Sequence, residues 1–445
     1  MKRLIAKFKR SAKIQPSLAS EHPTVSDAAI ADEVTTTQQD GHEPEPKPAK
    51  PVQNAPLEDL PAEVRRHLLS VLDLPQLKAL VRASPTFHQQ YVFDRKYLLC
   101  RSLENTLGSV MFDAYACQLS QSSDWKQFQQ DYTEKNCLPP SDQITQETAA
   151  KIAVFHTNYV TPIVRYFSDK SLNHLLSLTK DLEGDKLEAA LSTSEAMRFT
   201  RAVYRFEILC QVAGPHSETD MFLRTEAAEQ FFLIFEPWEV EELLSFYQFV
   251  EPIYDDIFKQ VRDDFHPDNP RFDDQPRPPT PEGAFDFDHR LDRDNLLEGT
   301  ILRGLCLLHT VLFDIKDHQH LVCLMQENLA KSYMSISTSA GGMFGSTHQL
   351  MRREAQPSDR DRMQDEKVPM PFPGDGVPDA PPLAWAMIWG STYSNIYGWY
   401  IPDDTRPWGY IFWDAARLER TGGKELLQQQ WEKCWEDEDP RDDLF

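Results

Sequence analysis

The pairs Cys306-x-x-His309 and His320-x-x-Cys323 are the residues of this 445-residue chain whose types and spacing best suit chemistry. An i, i+3 spacing puts each pair on one helix face, and four soft or borderline donors would suit tetrahedral zinc, with His318 as a spare. Cys306 and His309 also fall within the apolar run Leu305 to Phe313, where a thiol and a hydrogen-bonded histidine are ordinary core residues. The expectation is therefore no metal and no cofactor. Paired carboxylates (Asp255-Asp256, Asp263-Asp264, Asp273-Asp274, Asp403-Asp404) are numerous, but a chain with 70 acidic residues produces such pairs by chance, and they read as solvated surface. Phosphate-loop, dinucleotide, metalloprotease and serine-hydrolase signatures are absent, and Gly341-Gly342-Met343-Phe344-Gly345-Ser346 lacks the lysine that a phosphate loop needs. No catalytic residue is expected, and the chain reads as a binding protein, not an enzyme.

These side chains would be positioned by helices. Apolar residues recur at helical spacing over Thr148 to Thr179, Glu195 to Val212, Ala227 to Phe235, Pro237 to Phe265, Leu291 to Phe313 and His318 to Ser335. Pro237 opens its run where a missing N–H costs little, Glu239, Glu241 and Glu242 meet the positive end of the helix dipole, and Pro252 should kink or split the run. Proline-rich loops near 266–283 and 341–382 read as surface excursions, Thr280-Pro281 in the first being a proline-directed phosphorylation motif or simply a turn. Seven of the nine tryptophans follow, from Trp385 to Trp435, and are expected to form a core in preference to a ligand groove. Within that block Trp408, Tyr410 and Phe412 alternate like a short strand, whereas Leu427, Trp431 and Cys434 keep helical spacing. The fold class is mainly α: an N-terminal three-helix segment, then a large helical domain with a small aromatic-rich part that includes short strands.

The N-terminal segment carries a pattern. Leu60, Pro61 and Glu63 are followed by Leu69, Ser70, Leu72 and Asp73, then by Leu77 and Leu80, then by Ser84 and Phe87. Pro61 fixes a helix start, and Val64, Leu68, Val71 and Leu72 share a face; Asp73 and Pro75 start a second helix with Leu77, Leu80 and Val81 inward. Ser84 and Pro85 read as cap and first-turn proline of a third helix bearing Phe87, Tyr91 and Leu98 and ending near Gly108. Helices this short cannot hide all their leucines from one another, so the following domain or a partner must cover some. This arrangement resembles the F-box, departing from it at Ala83-Ser84-Pro85. Leu80 to Ala116 and Pro382 to Leu418 are also similar to filamentous-fungal proteins that carry such a segment. The resemblance implies a substrate-receptor subunit of a cullin-type ubiquitin ligase that docks a Skp-type linker protein through Leu60, Pro61, Val64, Leu68, Leu69, Leu72, Leu77, Leu80 and Phe87 and holds an unknown protein substrate. The other classes to weigh are a helical scaffold without a ligase link and a metal-dependent enzyme.

Composition narrows the partners. A net charge of −24 repels phosphate backbones and anionic headgroups, which excludes nucleic acid, and no window is apolar enough for a membrane span. Seven scattered cysteines without a Cys-x-x-Cys pair suit reduced thiols, and the expected location is cytoplasmic, nuclear or both. Residues 1–55 read as a disordered tail whose basic start (Lys2, Arg3, Lys7, Lys9, Arg10, Lys13) is a nuclear-type signal, a mitochondrial presequence or a surface-binding helix. The helical segment takes 56–108, a helical body expected to hold substrate 109–435, and an acidic tail 436–445.

Overall fold

The computed structural model describes residues 56–120, 125–134, 143–179, 190–215, 221–274, 281–332, 359, 362–363, 366, 368–390, 400–436 and 439–441. The predicted tail 1–55, the loop centre with Thr280, and Gly341 to Ser346 lie outside the described residues. The described chain is built from helices and turns, and no strand occurs among the described residues.

Four short helices come first: α1 (Ala62–Ser70), α2 (Leu74–Ala83), α3 (Pro85–Phe93) and α4 (Arg95–Leu107). Their boundaries follow local chemistry. Asp73 accepts from the Gln76 amide and Gln76 answers in a capping box, while Ser84 accepts from the Phe87 amide ahead of Pro85. The predicted third helix is two. Asp94 leaves helical geometry at ψ 21° because its carboxylate is held by Gln90 at 2.6 Å and Arg66 at 3.3 Å.

Leu69, Leu77, Val81, Phe87, Tyr91 and Leu98 form a core of their own, separate from the main core. Helix α4 belongs to both, since Leu98 faces the small core and Leu99, Cys100, Leu103 and Leu107 face the large one. Thr106 Oγ1 accepts from the Leu74 amide at 2.9 Å, and Asn105 Nδ2 donates to the carbonyls of Ser70 at 2.9 Å and Leu72 at 3.1 Å. The segment is thus clamped to α4, not hung on a linker.

The body follows as α5 (Met111–Leu119), α6 (Trp125–Thr133), α7 (Gln146–Phe155), α8 (Thr161–Leu178), α9 (Thr193–Ala213), α10 (Met221–Phe232) and α11 (Pro237–Phe265). Helix α9 is its axis: Phe199, Ala202, Val203, Tyr204, Phe206, Ile208 and Leu209 are all fully buried, and Arg198, Arg201 and Arg205 on the remaining face are buried as well. Helix α11 runs 29 residues through Pro252 without splitting. Between α7 and α8 the helix widens to a π turn over His156–Val160, directly before Thr161-Pro162, whose ring would otherwise strike the carbonyl one turn back. The expected single run Leu291 to Phe313 is broken into α12 (Arg290–Ile301) and α13 (Leu305–His309), at 95° to one another, because Gly304 takes φ +86°.

Helix α14 (His318–Asn328) precedes the aromatic block, made of α15 (Leu383–Trp389), a 3₁₀ helix over Asp403–Trp408, α16 (Ala415–Thr421) and α17 (Gly423–Trp435). The expected strand at Trp408 to Phe412 is this 3₁₀ helix and the turn after it. Gly409 sits at φ +67° where a Cβ would lie 3.1 Å from Ser171 Cβ, so the chain turns against α8 and buries Trp408, Tyr410, Phe412 and Trp413 completely. Trp385 and Trp389 are equally buried, which makes the block core; Trp399 lies outside the described residues. Nor are the loops simple excursions. Phe272 is buried and the Phe285 amide donates to the Phe265 carbonyl, and in the second loop Met370, Pro381 and Pro382 are buried.

The π turn supplies a pH prediction. His156 stacks on Tyr204, its Nδ1 3.3 Å from the Tyr204 hydroxyl, and burial pushes its pKa down from the usual 6.5 to about 4. The folded state therefore binds fewer protons than the unfolded one between these values, so stability present above pH 6.5 is lost as pH falls toward 4. The loss should reach about 3 kcal/mol, and His156→Phe should flatten it. Urea midpoints at pH 7 and pH 5 measure both, and equal slopes in the two proteins would refute the assignment.

Candidate functional site: an exposed helical face and an acid-rich cleft

The apolar stripe of α1 is divided: Leu68 and Leu72 pack against the small core, while Val64 and Val71 are exposed. Leu69 is its buried leucine, whereas Val64 is 45% and Val71 59% exposed, with Leu68 and Leu72 half-buried beside them. Pro61 is exposed and Leu60 half-buried in the turn that leads into α1, a turn held by Arg65 Nη1 donating to the carbonyls of Glu58 at 2.9 Å and Leu60 at 2.6 Å. Ser84 donates to Glu58, which ties the same turn to the α2–α3 junction. Of the nine residues expected to dock a partner, Leu60, Pro61, Val64, Leu68, Leu72 and Leu80 reach the surface to some degree. Leu69, Leu77 and Phe87 are buried in the small core and hold the helices to each other; their leucine-rich spacing carries packing, not an outward face.

The second feature is a set of buried ion pairs that sequence reading missed. Arg198, Arg201 and Arg205 rise along α9, and each finds carboxylates. Arg205 Nε donates to Asp113 Oδ1 at 3.1 Å and its Nη1 to Glu239 Oε1 at 2.8 Å; Arg201 grips Glu242 through Nε at 2.9 Å and Nη2 at 2.6 Å. Arg198 joins Asp414 and Asp375, each at 2.9 Å. Two further forks, Arg406 on Glu241 and Arg417 on Glu195, tie the aromatic block to α11 and α9. The three acids of the α11 first turn, read as dipole partners, are thus also the counter-ions of arginines. Burial would raise the Glu239 carboxyl, but Arg205 and Arg201 outweigh it and hold it at about 2.

The Arg201 and Arg205 pairs form the floor of a cleft of about 640 Å³ between α5, α6, α9 and the start of α11. Phe112, Tyr132, Phe235 and Trp238 wall it, and the Arg205 guanidinium lies 4.3 Å over the Phe235 ring. Tyr132 donates to Asp113, and burial first, then the Asp113 charge, drives its hydroxyl well above the usual range. This constellation holds charges fixed and shows no activated nucleophile.

The Cys306, His309, His320 and Cys323 donors are not brought together; no three of them lie within 4.8 Å of one another. His309 Nδ1 is 3.2 Å from Asp314, the His320 ring accepts from the Lys316 amide, and Cys323 accepts from Gln319. His266, Asp286 and Asp288 do approach within 4.8 Å, but both acids are exposed and Arg262 pairs with Asp288 at 2.6 Å. No single helix among the described residues is long and apolar enough to cross a membrane.

Comparison with protein-family models, curated proteins and solved structures found no match.

Proposed function

We propose that the chain is an F-box-like adaptor in which α1 to α3 dock a Skp-type linker protein, and through it a cullin, while the helical body holds a protein substrate. The observation that carries this reading is the exposure of Val64 and Val71, beside Pro61 and the half-buried Leu60, on helices that already own a separate core. Apolar side chains that neither core takes in are what a partner would cover. Such a subunit does no chemistry itself; it raises the local concentration of substrate lysines near the charged ubiquitin carrier. Linker and cullin place its work in the cytoplasm or nucleus.

The test uses the purified chain and a purified Skp-type linker in calorimetry. Val64→Asp and Val71→Asp change only exposed positions, so the thermal midpoint should stay, while affinity should fall by roughly 30-fold for each. Linker binding of the double variant at full strength, or no binding by the unmodified chain, would leave a scaffold without a ligase link.

A further inference from the structure

We propose that the cleft above Arg201 and Arg205 takes a basic side chain, arginine or lysine, presented by a peptide segment whose backbone carbonyl accepts from Trp238 Nε1. This names the substrate class of the body, and in that use it rests on the adaptor reading. Four observations lead there. The volume of about 640 Å³ is that of a small-ligand pocket. Its lining carries Asp113, Glu236, Glu239 and Asp379 against two arginines, and one of those, Arg201, is already matched by Glu242 behind the wall. The field inside is therefore negative, on a chain of net charge −24, and it selects cations over anions.

Tyr132, Phe112 and Phe235 give a cation aromatic faces, the arrangement Arg205 itself uses on Phe235. Last, Trp238 lines the cleft at 4% exposure, and its indole N–H has no acceptor. A buried donor left unmatched costs free energy, and an incoming carbonyl would recover it once the side chains that now cover this nitrogen move aside. Ser109, Thr133, Met363 and Asp379 at the mouth are exposed, so a chain segment can reach it from outside.

The probes are N-acetyl-arginine amide, N-acetyl-norleucine amide and N-acetyl-glutamate amide, titrated onto the whole chain by ligand-observed NMR. The arginine amide should bind, and the other two at least about tenfold more weakly, the value of one well-placed charge contact. Trp238→Phe keeps the ring and removes the donor, and should weaken the arginine amide about fivefold. Asp379→Lys, at a side chain 73% exposed and thus safe for folding, should weaken it comparably and make the remaining binding less salt-dependent. Equal binding of the glutamate or norleucine amide, no binding of the arginine amide, or full-strength binding by both variants would overturn the proposal. None of these readouts involves the linker. Linker failure with arginine binding intact would sink only the adaptor reading, and the converse only the cleft.

Discussion

Replacing Arg201 by methionine should destabilise the protein by about 3 to 5 kcal/mol, because the guanidinium leaves behind Glu242, whose carboxylate has no exposure to water. Burial already pushes the Glu242 pKa up, with Arg201 the main opposing influence, so the variant should take up a proton at that carboxyl near neutral pH. Its stability should then fall as pH rises through that range, opposite in sign to the His156 effect of the parent. A second change, Glu242→Leu on top of Arg201→Met, should restore most of the loss, since an apolar pair of similar volume needs no desolvation of charge. Urea unfolding at pH 7 measures both, and a single variant within about 1 kcal/mol of the parent would mean that water reaches this pair.

Phe87→Ala should cost about 3 to 5 kcal/mol as well, but in one place. Phe87 is 1% exposed in the six-residue small core, which meets the body through α4 and through Leu74 of α2, a member of the large core. Amide hydrogen exchange should therefore accelerate across 62–93 while α9 keeps its parental rates, and denaturation should split into two transitions. Uniform acceleration through α9 would show that the two cores unfold as one.

What was legible in the sequence was local. Asp73 and Ser84 mark helix starts through groups three residues away and Pro237 through its own fixed φ, so local sequence alone finds them, and the helical class follows from period. The alternation Trp408, Tyr410, Phe412 misled because a left-handed glycine between them reverses the chain within two residues, a feature that side-chain pattern does not encode. The apolar stripe of α1 was visible as a face, but which part of it points in depends on Leu69 meeting Phe87 and Leu98, positions in other helices.

The arginine pairs were hidden for a different reason: Glu239 and Glu242 lie 34 and 41 residues from their arginines, and Asp414 lies 216. One clue was present. Arg198, Arg201 and Arg205 share one face of α9 at i, i+3 and i+7, while Phe199, Ala202, Val203 and Phe206 occupy the rest of its circumference, so a helix this apolar elsewhere packs centrally and its arginine stripe needs buried partners.

The forks from Glu195 to Arg417 and from Arg198 to Asp414 also set a timetable for synthesis. Each closes across more than 200 residues, 222 for the first and 216 for the second. At about 5 to 20 residues per second, α9 leaves the ribosome roughly 10 to 45 s before its C-terminal counter-charges exist. During that interval the small N-terminal core can close from its own neighbours, while the central helix of the body waits with its aromatic face uncovered. The nascent chain thus passes this interval half-folded around α9, with apolar surface still open to water.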